Sequence, residues 1–487
     1  MLNKVRFIII SSLILMNLFL IIVSNTFATI LYTYPQDTPP KYFMKGTEIS
    51  GFCHDIIVEL NKELKAQDIK IEYKSKVLKS TTELLNALKN GEIQIFVGYG
   101  HSVERTKDFN YVSIPLYASR EMFMVETNLK DKILQKNIVK IGAVEGTIPA
   151  ENVPQIAKKQ EVIRYKTIND VYKALEKREI DLVFSVGLLI GDVINASKGT
   201  YTTLNLTTRK FYHYIILNKN IGNEIIAKIE AVLKKIHKKG IMQRLIKKYN
   251  LQQYVLPGNV VEILVADWKP YGWYDENKNE WVGVDVDVAR TVLNKLGYQT
   301  IFLTYPRARC LEYMKSGTYD AVMSLCATAD RKAFLLFPDE PLSTGKDVLF
   351  KLKESKIDIT DLWKIPEQAR CGYTDGYAYG DWFWNAKFKK INVVSDEAGF
   401  KLLENRRIDL FVCNLLVGRQ LAKALNIDVV SSPVFGEKMI YYIAFSQNYH
   451  GTNLLKSVSQ ELKHFKRTKE YLNILSRYGI SYDDFWK

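Results

Sequence analysis

Residues 90–116 read NGEIQIFVGYGHSVERTKDFNYVSIPL, and residues 316–342 read SGTYDAVMSLCATADRKAFLLFPDEPL. Gly91, Ser102, Arg105, Pro115 and Leu116 recur as Gly317, Thr328, Arg331, Pro341 and Leu342, at a constant offset of 226. Gly51 and Asp55 recur as Gly283 and Asp287, Gly142 and Gly146 as Gly372 and Gly376, and Ile180-Asp181-Leu182 as Ile408-Asp409-Leu410. A period this long marks a whole domain used twice, not a stack of solenoid repeats of about 20–50 residues. It constrains the chain to two units of one architecture, where 487 residues alone would suggest about three domains. The hydrophobic content of 47% is ordinary for globular protein and supplies a core to each copy.

The chain opens with Lys4 and Arg6, an apolar run of 17 residues from Phe7 to Val23, and small residues at Thr26 and Ala28. This pattern predicts a secretory signal peptide over residues 1–28, cut after Ala28, and hence a periplasmic or secreted protein. The run exceeds the usual signal core of about 7–15 residues, so an uncleaved membrane anchor is the alternative. Five cysteines (Cys53, Cys310, Cys326, Cys371, Cys413) show no CxxC spacing, which argues against zinc and thioredoxin-like chemistry. Free buried thiols are expected, with one disulfide in the second copy left open. No metal and no cofactor is expected.

Of the net charge of +15, residues 29–256 carry +11 and residues 257–487 carry +2. Much of the first excess lies in KIEAVLKKIHKKGIMQRLIKKY, where Ile229, Val232, Leu233 and Ile236 form a helical apolar stripe and lysines fill the opposite face. A solvated helix face is therefore the reading. Nucleic acid is not expected as a partner of an exported chain in which no module pairing aromatic and basic residues is present.

Each copy alternates strands with helices, which predicts α/β units with largely parallel sheets. The first strand (ILYTY; VEILVA) runs into a Pro/aromatic turn, PQDTPPKYF or DWKPYGWY, and a helix follows Gly51 or Gly283. A second helix opens at Ser80-Thr-Thr-Glu83, a capping box, and Gly91 supplies its left-handed stop. A short apolar strand then leads to the Ser/Thr-x-x-Arg element. A second alternating unit follows, with a helix expected after Gly146 or Gly376. Residues 252–258, marked by Pro257-Gly258, read as the linker, giving domains at 29–256 and 257–487.

A hydroxyl at a strand-to-helix junction is a good N-cap, and an Arg three residues later can clamp a carboxylate with two parallel hydrogen bonds. Arg105 and Arg331, with Ser102 and Thr328 beside them, are therefore the leading ligand residues. The Pro/aromatic turns carry Tyr42 and Phe43 in the first copy and Trp268, Tyr271 and Trp273 in the second.

These features, with G-x-x-x-G-[TY] and the I-D-L strand, resemble the family 3 extracytoplasmic solute-binding proteins over nearly all of both copies. GYAYGDWF at Gly376 looks like the second-lobe signature of one branch. The resemblance implies two tandem periplasmic-binding-protein-like (type II) domains, each of two α/β lobes around a central cleft. It implies that Arg105 and Arg331 hold the carboxylate of an amino-acid-like solute, and that Tyr42 or Phe43, and Trp268, Tyr271 or Trp273, wall the cleft. It also implies a second anion-friendly helix end in the opposite lobe, at Gly146-Thr147 and Gly376-Tyr377. Such proteins usually place an Asp five residues beyond the I-D-x Asp for the ligand ammonium. Here that count lands on Val186 and Asn414; Asn414 stays a candidate ligand residue, while Asp181 and Asp409 are expected to pair structurally.

The function implied is capture of a small polar, carboxylate-bearing solute by lobe closure, for uptake with an ABC permease. The alternatives are the ectodomain of an anchored sensor with a membrane partner and, less favoured, a cyclohexadienyl-dehydratase-like enzyme. No acid–base constellation is visible in the sequence to carry that chemistry, and no catalytic residue is assigned.

Overall fold

The computed structural model describes residues 29–204, 206 and 208–486. The expected signal segment lies outside the described residues. The chain divides into two compact units: the first holds the described residues up to Tyr117, with Phe123–Thr203 and His213–Val255, and the second holds Ala118–Met122, Leu204–Tyr212 and the chain from Leu256. The break at Val255 falls inside the expected linker. Val255–Pro257 there forms a short strand with both end residues buried.

In the second unit, Val260–Val265 pairs in parallel with Gln299–Thr304 and with Ala321–Leu325, and Met439–Ser446 joins antiparallel. Every residue of Val260–Val265 is buried, as expected of a parallel strand covered on both faces. A second sheet runs in the order Lys389–Val393, Arg370–Thr374, Leu410–Asn414, Asp347–Leu352, Val429–Ser431. Each sheet anchors one lobe, and the chain crosses between them through Ser343–Gly345 into Asp347–Leu352 and returns into Met439–Ser446. The first copy repeats the opening pair, Thr29–Thr33 parallel to Ile69–Tyr73.

The duplicated residues explain much of this geometry. Gly283 has φ 129°, and a Cβ there would stand 2.4 Å from the Tyr271 carbonyl oxygen; Gly51 has φ 130° and would meet the Lys41 oxygen at 2.3 Å. Only glycine lets the turn and the helix that follows approach so closely. Four residues on, Asp287 accepts hydrogen bonds from Tyr478 (2.7 Å) and Arg477 (3.1 Å), as Asp55 does from Tyr249 (2.8 Å) and Lys248 (2.6 Å). Both aspartates thus tie the first helix to a C-terminal one.

The capping box forms as read: Glu83 N–H donates to Ser80 Oγ and Ser80 N–H to Glu83. Asp409 receives Arg370 through both carboxylate oxygens at 3.0 Å, and Asp181 takes Lys136 and the Lys140 amide. Within the second unit, buried Lys210 donates to Asp320 Oδ2 at 2.7 Å, and the Glu262 amide donates to the same oxygen. Asp320 therefore serves the sheet and not a ligand. All five cysteines are free, and all but Cys326 are buried.

Candidate functional site

The second unit contains a narrow cleft between its two sheets, with a cavity volume of about 30 Å³. Arg331 stands in the turn that follows Ala321–Leu325 and is only 5% exposed. Its guanidinium donates to the Cys326 carbonyl (3.1 Å) on its own lobe and to the Gly376 carbonyl (2.7 Å) on the other. Arg307, at the first position of the helix Arg307–Lys315, enters the same cleft. It donates to the Met323 carbonyl (3.2 Å) and lies 6.0 Å from the Tyr377 ring centroid. Among the described residues neither guanidinium has a carboxylate within ion-pair distance. Burial, and then the charge of Arg307, lower the pKa of Arg331.

The anionic side of the cleft is Asp347, 7% exposed, at the start of the crossing strand. Among the described residues nothing donates a hydrogen bond to its carboxylate. Burial, reinforced by the charge of Asp396, pushes its pKa up to about 7. Asp396 itself is held by Thr374 and by Trp268 Nε1–H at 3.0 Å, and burial raises its pKa too. Trp268 stands edge-to-face with Tyr377 (6.1 Å, 84°) and Tyr441 (5.1 Å, 79°) and stacks on Tyr271 at 4.6 Å. The arrangement is a box of aromatic faces with two cations and one unpaired anion on its walls.

The predicted residues divide between cleft and scaffold. Trp268, Arg331, Gly376, Tyr377 and Asn414 all line the cleft. Asn414 is also bound within the protein: its amide donates to the hydroxyls of Tyr271 (3.3 Å) and Tyr441 (3.2 Å), and its oxygen accepts from the Leu416 and Val417 amides. Its hydrogen-bonding capacity is used up in orienting two rings and capping a helix. Tyr271 is buried, its hydroxyl donating to the Thr344 carbonyl at 2.9 Å, and Trp273 packs instead on Tyr478.

The helix ends expected to bind an anion are weaker than read. Ser102 Oγ accepts the Arg105 amide at 3.4 Å, but Thr328 turns its hydroxyl to Asp330. The turns they open, Glu104–Lys107 and Ala329–Lys332, are four residues each. Thr147 caps the four-residue Ile148–Glu151, and the helix expected at Gly376 begins only at Asp381, because residues 377–380 pack as an aromatic loop against the cleft. A macrodipole needs several aligned turns, so the guanidinium groups carry the attraction for an anion.

The first unit repeats one element of this site and replaces the rest. Arg105 donates to the Gly146 carbonyl at 2.8 Å, the same lobe-to-lobe bond, with its guanidinium 5.1 Å from the Tyr99 centroid and Glu151 at 4.0 Å. Thr81 takes the place of Arg307 at the head of the equivalent helix. The bridges Thr38↔Tyr42 and Trp268↔Gly272 put Thr38 where Trp268 stands. Lys41 therefore replaces Tyr271, its ammonium bonded to the Gly98 carbonyl at 2.9 Å. Tyr42 is consequently a core residue, donating to the Val97 carbonyl (2.8 Å), and Phe43 begins the strand Phe43–Lys45.

Sequence reasoning missed Arg307, Asp347, Asp396, Tyr379 and Tyr441. For Asp347 a signal exists: 347 − 226 is 121, and Glu121 keeps the acidic character. Tyr379 lies inside the GYAYGDWF motif, which marks its segment though not its role. Arg307 carries no signal, because a buried Arg at the head of a helix reads like a solvated one.

Two α/β lobes on a cleft, with a backbone-anchored arginine reaching across it, define a solute-receptor domain, and this chain carries the plan twice, with Arg331 buried and Arg105 half-buried. The chain belongs to the bacterial extracellular solute-binding proteins, family 3, whose model matches residues 30–252 and again residues 261–481. A search of the curated proteins returns no match. Among solved structures, a mutant of ArgBP from T. maritima is 20% identical, with a TM-score of 0.41, over 45% of this chain and 95% of its own. A histidine kinase sensor domain with similarity to periplasmic binding proteins is 16% identical, with a TM-score of 0.41, over 45% and 95%. The periplasmic domain of BvgS from B. pertussis is 13% identical, with a TM-score of 0.39, over 93% and 91%. Among the described residues no helix is long and apolar enough to cross a membrane.

Proposed function

We propose that this protein is an extracytoplasmic receptor whose second domain captures a small, carboxylate-bearing solute by lobe closure and delivers it for uptake. One observation carries the reading: Arg331 is buried at the cleft with only backbone carbonyls as partners, one on each lobe. A guanidinium so placed is charged, desolvated and ready to exchange a carbonyl for a carboxylate, a stronger charge-assisted bond. Lobe closure would then bring the second-lobe backbone onto the same ligand. The first domain keeps the arginine but lacks the second guanidinium and the tryptophan wall, so the second is the principal site.

Thermal-shift screening of the two-domain protein against amino acids, dicarboxylates and small peptides tests this. A ligand at 100 times its Kd adds about 2.7 kcal/mol of stability. Expected is stabilisation by a carboxylate-bearing compound that is lost in Arg331→Ala; stabilisation indifferent to Arg331 refutes the reading. Residues 1–28 decide delivery. A mature protein beginning at Thr29 supports a released receptor, and an intact N-terminus in membrane fractions favours an anchored sensor instead. The buried Asp347, with its raised pKa, gives the enzymatic alternative a general-acid candidate. Turnover of a prephenate-like acid that vanishes in Asp347→Asn would replace binding by catalysis.

A further inference from the structure

We infer that residues 118–122 and 208–212 are a clasp that ties the hinge of the first copy into the second unit, so that the two copies behave as one coupled body. In the second copy the chain crosses between lobes through Ser343–Gly345 and returns into Met439–Ser446. The equivalent strands of the first copy are Tyr117–Glu126 and Lys210–Asn218, because the Leu116 amide donates to the His213 carbonyl as the Leu342 amide does to that of Tyr441. Yet Ala118–Met122 and Leu204–Tyr212 belong to the second compact unit. Lobe closure is absorbed by a few residues in such crossing strands, so whatever holds them bears on the motion.

Inside that unit the two stretches bring cations to a pair of carboxylates. Arg120 donates to both oxygens of Glu262 (3.0 and 2.9 Å) and to the Thr318 carbonyl, with its guanidinium 4.8 Å from the Tyr319 ring centroid. Lys210, its side chain 2% exposed, joins Glu262 at 3.0 Å to Asp320 at 2.7 Å, and the Tyr212 hydroxyl donates to the other Asp320 oxygen. Burial alone would raise the Asp320 pKa, but Lys210 and then His450 hold it below the usual carboxylate range. The fold itself does not require these charges. At the offset of 226, Gln94 stands where Asp320 does, and Tyr32 where Glu262 does. The Tyr32 amide donates to Gln94 Oε1 at 3.1 Å, as the Glu262 amide does to Asp320 Oδ2 at 2.8 Å. A neutral side chain thus serves the strand as well. Buried ion pairs add little net stability over apolar packing, and their best-attested use is to fix one arrangement against others. Glu262 and Asp320 are the socket for Arg120 and Lys210.

All seven tryptophans lie in the second copy, from Trp268 to Trp486, so tryptophan fluorescence follows that copy alone while far-ultraviolet circular dichroism follows both. The test is urea unfolding of the two-domain protein by both signals, for wild type, Arg120→Ala, Lys210→Met and Asp320→Asn. Arg370→Met, which breaks the Arg370–Asp409 pair outside the clasp, is the control. Wild type should give single, coincident transitions. Each clasp variant should split the dichroism curve into two steps with midpoints about 1 M apart, fluorescence following only one of them. The control should shift both signals together. Arg120 is 30% exposed at its side chain, so its variant decides the matter if a fully buried one does not fold. Wild-type signals that already fail to coincide overturn the inference. So do clasp variants whose two signals remain coincident, and a control that splits the transition as the clasp variants do.

Discussion

Replacing Asp347 by Asn in the ligand-free protein should stabilise the second domain, increasingly so as pH rises. The folded-state pKa of about 7 lies well above the ordinary 3.8, because burial and then the charge of Asp396 disfavour ionisation. The folded protein therefore holds a proton that the unfolded chain releases near pH 4. The associated stability is fully present below pH 4 and is lost as pH rises through 7. Raising the pKa from 3.8 to about 7 corresponds to about 4 kcal/mol, an upper bound that relaxation around the charge reduces to about 2 kcal/mol. For a domain of this size that is roughly 4–8 °C in melting temperature. Of the other groups around the carboxylate, Tyr271, Tyr441 and Cys326 have pKa values raised by burial and stay neutral here, leaving Asp396 as the coupled acid. Asp285, pushed up to about 7 by its own burial, gives the variant a residual slope. The assay is thermal unfolding of wild type and variant from pH 4 to 8.5 without ligand, followed by tryptophan fluorescence. The melting temperatures should coincide at pH 4 and diverge above 5. Parallel curves, or an Asn variant less stable at pH 8, would refute the claim that Asp347 is an uncompensated buried charge.

Arg331→Ala should reduce ligand affinity at the second site at least thirtyfold, the equivalent of about 2–5 kcal/mol for a truncated buried charge pair, whereas Arg105→Ala should leave that site within about twofold by calorimetry. Gly283→Ala, which sets a Cβ 2.4 Å from a backbone oxygen at φ 129°, should destabilise the second domain by about 2–4 kcal/mol in urea unfolding. Gly297→Ala is the control, since it also has positive φ (89°) but opens on free space, and its cost should be smaller. Asn414→Ala should cost about 2–4 kcal/mol, from the lost helix cap and two tyrosine hydroxyls left without their donor; a loss below about 1 kcal/mol would contradict the bonding described.

The duplication, the α/β alternation and the arginine of each cleft were legible along the chain, because each rests on local chemistry. Glycine at φ near 130°, a capping box and an Arg beyond a strand all leave marks within a few residues. The aromatic turn was legible as a turn but not residue by residue. The bridge Thr38↔Tyr42, with the approach of Gly51 to the Lys41 oxygen, reveals that Lys41, and not Tyr42, stands at the position of Tyr271.

The two-copy plan, the family resemblance and the position of Arg331 thus follow from residues close together in the chain. Folding in three dimensions settles which copy carries the fuller site and what charge it offers. Arg307, Arg331 and Asp347 come from a helix, a turn and a crossing strand, and folding alone sets their separation. Glu121 and Asp347 look alike as letters. They differ because Arg209 reaches the first, whereas the second lies across a strand pair from Asn414 with no cation paired to it among the described residues. Whether a buried carboxylate is satisfied depends on its neighbours in space, and the order of residues does not encode them directly.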